Sequence, residues 1–222
     1  MSSVDISESM MKAVFPAFDG LGLAFPERRT RPRKGVVAKR RLDIAVAGLA
    51  IVLLLPLLAL VALVIKLDSK GPVLFTQRRT GLGGRVFHIH KFRSMHVMED
   101  GAQMQQASQG DARITRAGRL LRKLSLDELP QLLNILKGDM SVVGIRPLLS
   151  VELAARPMKS RELYAEMRPG LTGLWQVAGR SSVRHEDRFR LDDNYVTHWT
   201  LRRDLALMAR TPMGLLRASQ TA

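Results

Sequence analysis

A run of 22 residues, Ile44 to Ile65, carries no charged or strongly polar side chain. That length suffices for a helix to cross a bilayer. Two features compete with a plain crossing. Pro56 falls near the middle of the run, and a proline there removes a backbone hydrogen bond and clashes with the preceding turn. The stretch before it, Ile44 to Leu55, is ~18 Å long at helical rise, short of a hydrocarbon core of about 30 Å. Both flanks are also basic: Arg28, Arg29, Arg31, Arg33, Lys34, Lys39, Arg40 and Arg41 precede the run, and Lys66, Lys70, Arg78, Arg79 and Arg85 follow it. Cytoplasmic flanks carry the Lys/Arg excess, so both ends favour one side. A spanning helix and a re-entrant helix-break-helix both stay open on pattern alone.

The chain has 222 residues, enough for one domain plus tails. With 35 Lys+Arg against 20 Asp+Glu, its net charge of +15 calls for an anionic partner. Nucleic acid, anionic lipid headgroups and phosphorylated small molecules all qualify. Cysteine is absent, which excludes disulfides, thiolate catalysis and cysteine metal sites. Residues 1–38 hold Pro16, Pro26 and Pro32 with little apolar periodicity and read as a basic, flexible tail.

Beyond the apolar run, Gly71-Pro72 signals a turn. Val73-Leu74-Phe75, the turn Gly81-Leu82-Gly83-Gly84 and the alternating Val86–His90 predict a β-hairpin. Residues 99–110 are Gln-rich and polar and read as a flexible loop. Arg113, Arg116, Arg119 and Arg122 recur every third residue among Ile114, Leu120, Leu121 and Leu124, predicting a basic amphipathic helix. It would be a solvated face over a core, an interfacial helix or a phosphate-facing one. After Asp139 the Pro and Gly density predicts loops and short elements. A last helix, about Trp199 to Met208, is expected to end near Thr211-Pro212. The class is α+β, mostly helical.

Ser125-Leu126-Asp127-Glu128 precedes the apolar Leu129, Leu132, Leu133, Ile135 and Leu136. Ser three residues before Glu is a capping-box pattern, so Glu128 could simply cap a helix. The same two carboxylates, Asp127 and Glu128, at a helix start would stay ionised and suit a nucleophile or a metal ligand. Adjacent acids beside many arginines suit Mg2+ plus phosphate.

Segments in fixed order carry a resemblance. They are Lys39-Arg40-Arg41-Leu42-Asp43, Gly71-Pro72-Val73, Gln77-Arg78-Arg79, Lys91-Phe92-Arg93-Ser94-Met95 and Asp111-Ala112-Arg113-Ile114-Thr115. Leu121 through Gln131, with Leu126-Asp127-Glu128-Leu129-Pro130 at its centre, is the most specific. Lys137 through Ser141, Gly144-Ile145-Arg146-Pro147, Arg168 through Gln176, Gly179-Arg180, Asp192 and Tyr195 complete the set. From Lys39 to about Met213 the chain resembles the bacterial sugar transferases of the monotopic phosphoglycosyl transferase family, in the short form that initiates exopolysaccharide synthesis. The resemblance is to the minimal form, without the extra spanning helices that some larger relatives carry.

The resemblance implies transfer of a sugar-1-phosphate from a UDP-sugar, with UDP-glucose or UDP-galactose favoured, to undecaprenyl phosphate. Asp127 would form a covalent phosphosugar intermediate and UMP would leave. Glu128 would act as base or orient Mg2+, held by Asp127 and Glu128. Arg122 and Arg146 match positions near the phosphates; Lys91 and Arg93 are further candidates. The resemblance favours re-entry at Pro56, giving an anchor over 39–69 and a catalytic domain over 70–222 on the cytoplasmic face of the bacterial inner membrane, against anionic lipid. Two departures stand out. Ile145 replaces a usual proline before Arg146-Pro147, which loosens a turn that should aim Arg146. Leu55 replaces a frequent serine before Pro56.

His88, His90 and His96 are read as surface or packing residues rather than a metal trio. Gly81–Gly84 lacks the Lys-Ser/Thr of a phosphate loop. Trp175 and Trp199 suit either a membrane interface or a core. Two competing functions are a membrane-anchored nucleic-acid-binding protein, for which no motif is found so that no nucleic acid is expected, and a non-catalytic membrane scaffold. The loop-rich C-terminal part could serve as a homo-oligomer interface.

Overall fold

A computed structural model describes residues 35–96, 111–179 and 185–220. The basic tail as far as residue 34 and the Gln-rich stretch 99–110 lie outside the described residues.

The apolar run lies within α1, Val36–Asp68, a helix of 33 residues that continues through Pro56. The helix takes in residues 36–38, which the sequence assigned to the tail, and the expected break does not divide it. Proline removes one hydrogen bond from the ladder, and the surrounding Leu and Ala are strong helix formers. Side-chain packing bridges the gap as well. Lys39, Asp43, Ala47, Val61 and Ile65 are buried, with Ala50, Ile51, Leu57 and Leu58 half-buried between them. These positions recur every three or four residues and form one stripe. On the other side Leu49, Val52, Leu53, Leu55, Leu60, Leu63 and Leu67 are 55–79% exposed.

Both ends of α1 are tied to the same body. Near its start, Lys39 Nζ donates to the Val143 carbonyl at 2.8 Å and pairs with Asp204 Oδ2 at 2.5 Å. Asp43 accepts from Ser141 Oγ at 2.8 Å and from the Val142 N–H at 3.0 Å. Arg40 donates to the Ile135 and Leu136 carbonyls at 2.6 and 2.9 Å. Lys39 and Arg40, which the sequence grouped with a basic membrane flank, therefore face inward. At the far end Asp68 accepts from the Ala117 N–H at 3.2 Å.

The hairpin forms from β1, Leu74–Thr80, and β2, Val86–Phe92, antiparallel with Leu74 opposite Phe92. Gly83 and Gly84, at φ 65° and 75°, supply the positive-φ residues of its turn. The basic helix is α2, Arg116–Lys123, capped by Thr115 Oγ1 accepting from the Gly118 N–H. Next come α3, Gln131–Lys137, and β3, Ser141–Val143. Asn134 of α3 grips β2, accepting from the His90 N–H at 2.9 Å and donating to the His88 carbonyl at 2.7 Å. After α4, Ser150–Ala154, and α5, Met158–Ala165, β4, Gly170–Thr172, returns parallel to β3. This crossing is tight: a Cβ on Gly170 would stand 2.1 Å from the Gly144 nitrogen.

The chain finishes with α6, Leu174–Gly179, α7, His185–Thr197, and α8, Leu201–Gln220. The last helix does not stop at Thr211-Pro212 as expected. Thr211 Oγ1 donates to the Leu207 carbonyl at 2.8 Å, and helix resumes beyond the proline. The main core gathers Val143, Ile145, Leu153, Tyr164, Tyr195, Val196 and Leu207 around β3. The expected α+β, mostly helical class is observed.

Candidate active site

Asp127 and Glu128 lie on a short turn of 3-10 helix, Leu126–Glu128, between α2 and α3. The capping box expected here does not form. Ser125 adopts φ 56° and gives the 3-10 turn no side-chain cap, while α3 starts only at Gln131. Pro130 is the physical reason. It has no N–H to give the Leu126 carbonyl, so that carbonyl accepts from Leu129 instead, at 3.2 Å, and the turn stays tight. A serine in the left-handed region is strained. The backbone is thus bent sharply just where two carboxylates stand.

Glu128 lines a cavity of about 320 Å³ with Arg79, Lys91, Arg122, Gln131, Arg146, Trp175, Gln176 and Arg188. Strand β1 brings Arg79, β2 brings Lys91, α2 brings Arg122, and the segment after β3 brings Arg146. Lys91 Nζ lies 3.3 Å from Glu128 Oε1. Asp127, half-buried, precedes Glu128 on the same turn without lining the cavity itself. Five cationic side chains face one carboxylate, so the cavity is built for a polyanion. The crowding shows in the guanidinium groups. Burial, opposed by Glu152 and reinforced by Arg146, holds Arg79 below its ordinary value. Burial and then Arg146 do the same to Arg188. Arg146 and Arg188 both lie over the Trp175 ring, 5.3 and 5.4 Å from its centroid.

Of the residues singled out in sequence, Glu128, Lys91, Arg122 and Arg146 come together here. Arg93 does not. It is buried, donating to the Ser69 carbonyl at 2.5 Å and to the Ile65 carbonyl at 3.4 Å, and it fastens the C-terminal end of α1. Asp192 and Tyr195, from the last matching motif, are also interior. Asp192 pairs with Arg156 at 2.7 Å and accepts from the Arg146 backbone N–H; burial outweighs both and pushes its carboxyl up to about 6. Tyr195 donates to Asp204 Oδ1 at 2.7 Å. Ile145 leaves Arg146 well aimed despite replacing a proline, because its carbonyl accepts from the Gly170 N–H at 2.8 Å. His90 sits against Lys137 Nζ at 3.0 Å, and Trp199 donates to Asp204 rather than facing outward.

Sequence reasoning missed Arg79, Trp175, Gln176 and Arg188 as site residues. The first three lay inside matching motifs; Arg188 lay in a stretch without pattern. The Trp175 Nε1 and Gln176 Oε1 atoms are buried in this wall without hydrogen-bond partners among the described residues, a donor and an acceptor that a polar ligand would satisfy.

The two adjacent carboxylates fit a hard cation. Among the described residues no cluster of three or more acidic or histidine side chains could cage a metal alone. Mg2+ needs no such cage, since it takes one or two carboxylates and completes its shell with substrate phosphates and water.

The family model for the bacterial sugar transferases matches residues 34–218. The chain belongs to that family and is an enzyme, a transferase. It is 48% identical over 194 residues to the UDP-glucose:undecaprenyl-phosphate glucose-1-phosphate transferase of Caulobacter vibrioides, covering 83% of this chain and 72% of that one. It is 41% identical to the exopolysaccharide production protein ExoY of Sinorhizobium fredii, over 80% of this chain and 84% of the other. It is 38% identical to the undecaprenyl-phosphate galactose phosphotransferase of Salmonella typhimurium, over 81% of this chain and 40% of that protein. Among the described residues α1 is the one helix long and apolar enough to cross a membrane, with only 11% of its most apolar window buried. An apolar surface of that extent marks membrane association.

Proposed function

We propose that this enzyme transfers a sugar-1-phosphate from a UDP-sugar to undecaprenyl phosphate, initiating exopolysaccharide or capsule repeat synthesis. The observation that carries the reading is the cavity in which Glu128, next to Asp127, meets Arg79, Lys91, Arg122, Arg146 and Arg188. Both substrates bring phosphate to it, and both fit the names of the relatives. UDP-glucose and UDP-galactose are the favoured donors.

A carboxylate oxygen of Asp127 attacks the β-phosphorus of the UDP-sugar. The bond from that phosphorus to the bridging oxygen breaks, and UMP leaves with the electron pair. The resulting acyl phosphate is attacked by a phosphate oxygen of the polyprenyl phosphate, and the Asp127 carboxylate departs unchanged. The arginines and Lys91 hold the phosphates and offset charge gathering on the leaving oxygen. Glu128, oriented by Lys91, sets the position of the nucleophile. Asp127 and Glu128 would hold Mg2+, which would neutralise part of the diphosphate charge.

The anchor, 39–69, lies in the cytoplasmic leaflet of the inner membrane without crossing, and 70–222 form the catalytic part. Support comes from α1, whose two ends are fixed to one body while its outward face stays apolar and exposed. Anionic lipid would meet the basic residues on either side.

The test is UMP release. Purified protein is mixed with Mg2+, undecaprenyl phosphate and a panel of UDP-sugars, beside Asp127→Asn. Release from one sugar, sustained only with lipid and lost in the variant, supports the reading. No release from any UDP-sugar by folded protein overturns it.

A further inference from the structure

A second cavity opens beside the cationic one. Its volume is about 290 Å³, and Val46, Leu129, Val142, Leu171, Val177 and Met208 give it a mostly apolar lining. It shares Glu128, Leu171 and Gln176 with the phosphate cavity, so the two meet at the catalytic turn. One wall, Val46, belongs to the apolar helix α1. The opposite wall is α8, where Met208, Thr211 and Pro212 stand. Thr211 Oγ1 lies 2.9 Å from Thr172 Oγ1, and this contact joins α8 to β4 along the groove. A polyanion pocket and an apolar groove that meet at a carboxylate match an amphiphile with a phosphate head and a hydrocarbon chain.

We infer that this groove between α1 and α8 holds the phosphate-proximal isoprene units of the acceptor, guiding the polyprenyl phosphate from the bilayer to the Asp127–Glu128 turn. The inference rests on the phosphotransfer reading above. The occupant is the prenyl chain rather than an ordinary phospholipid, because the groove ends at Glu128, on the turn that carries Asp127. Its wall on α1 lies next to the exposed apolar face, so the chain reaches it without crossing water.

Two measurements test it on the full-length protein in nanodiscs. Val46→Trp and Met208→Trp each fill the groove, and acceptor KM is read with undecaprenyl phosphate. The rapid burst of UMP before lipid addition reports on the cationic pocket in the same samples. The expected result is a KM raised about tenfold or more in both variants, with the burst retained. An unchanged KM in both overturns the groove. Absence of a burst from the unmodified protein overturns the phosphotransfer reading instead. Should a variant fold poorly, photolabelling of the unmodified protein decides. A polyprenyl phosphate carrying a photoreactive group on its first isoprene unit is expected to label the peptides 204–210 or 211–217. Labelling confined to the outward face of α1, or abolished equally by excess phospholipid, overturns it.

Discussion

The Lys91 ammonium lies 3.3 Å from a Glu128 carboxylate oxygen, and each side chain is 26% exposed. Glu128 lines the cationic cavity, and Asp127 precedes it on the same turn without lining that cavity. The two acids are therefore placed for different work. Asp127→Asn is expected to abolish both the UMP burst and turnover. Glu128→Gln should keep a slow burst, with kcat lowered by roughly 10²–10⁴. Rapid-quench measurement of UMP in both variants checks the division; equal loss in both would remove the distinction.

Arg146 and Arg188 flank Trp175 in the phosphate cavity. Replacing either with Ala should lower kcat/KM for the UDP-sugar by about ten- to a hundredfold, the scale of a charge-assisted hydrogen bond. Arg188→Lys should recover little, because an ammonium lacks the planar face that lies over the indole. Steady-state kinetics on all three variants decide.

Gln176 presents in the same wall a buried carbonyl oxygen without a partner among the described residues. Gln176→Leu keeps the volume and removes the acceptor. Donor KM should rise several-fold for the preferred sugar nucleotide, with the thermal midpoint nearly unchanged. A fall in midpoint with unaltered KM would assign Gln176 to packing.

Asp192 makes stability depend on pH. Its carboxyl ionises at about 6 in the folded protein against an ordinary 3.8. Below about pH 4 folded and unfolded chains are both protonated at this group, and its contribution is complete. As pH rises towards 6 the unfolded chain ionises first, so stability falls, by on the order of 3 kcal/mol across the window. Above the folded value the loss levels off. Asp192→Asn should flatten this slope while lowering stability near neutrality, since Arg156 loses its partner. Thermal melts at pH 4, 5, 6 and 7 measure both effects.

Lys39 and Asp204, 165 residues apart, form a pair that is 9% and 1% exposed. Lys39→Met strips the carboxylate of its cation but leaves it the Tyr195 and Trp199 donors. Removing one member of a buried pair costs about 3–5 kcal/mol. The thermal midpoint should fall by several degrees, more than in Lys66→Met, whose Lys66 is exposed.

Much of this architecture was legible locally. The apolar run, the hairpin and the basic helix each follow from periodicity, and five of the six charged residues lining the cavity sit in ordered motifs. What escaped depended on partners far along the chain. Arg93 reads like Lys91 in sequence, yet one is consumed by the end of α1 and the other faces the cavity. Their spacing of two along an extended stretch gives no hint of that difference. Lys39 and Arg40 resemble an ordinary membrane flank until β3, α3 and α8 are in place. The capping box failed for a local reason that can be stated: Pro130 outweighs Ser125, because a missing N–H cannot be supplied by a cap. Pro56 and Pro212 erred in the opposite direction, since side-chain packing and a threonine hydroxyl carry each helix onward.

The stripe on α1 divides that helix between two solvents. Lys39, Asp43, Ala47, Val61 and Ile65 belong to the interior, each at most 7% exposed. A chain shortened to begin at Lys70 would leave Asp204 and Ser141 without their partners and strip the cover from Ile89, Ile135 and Phe92. It would not be a soluble form of the enzyme. Adaptation to a thicker or thinner bilayer must then fall on the outward positions, such as Leu49, Val52, Leu53 and Leu60, where a substitution meets only acyl chains.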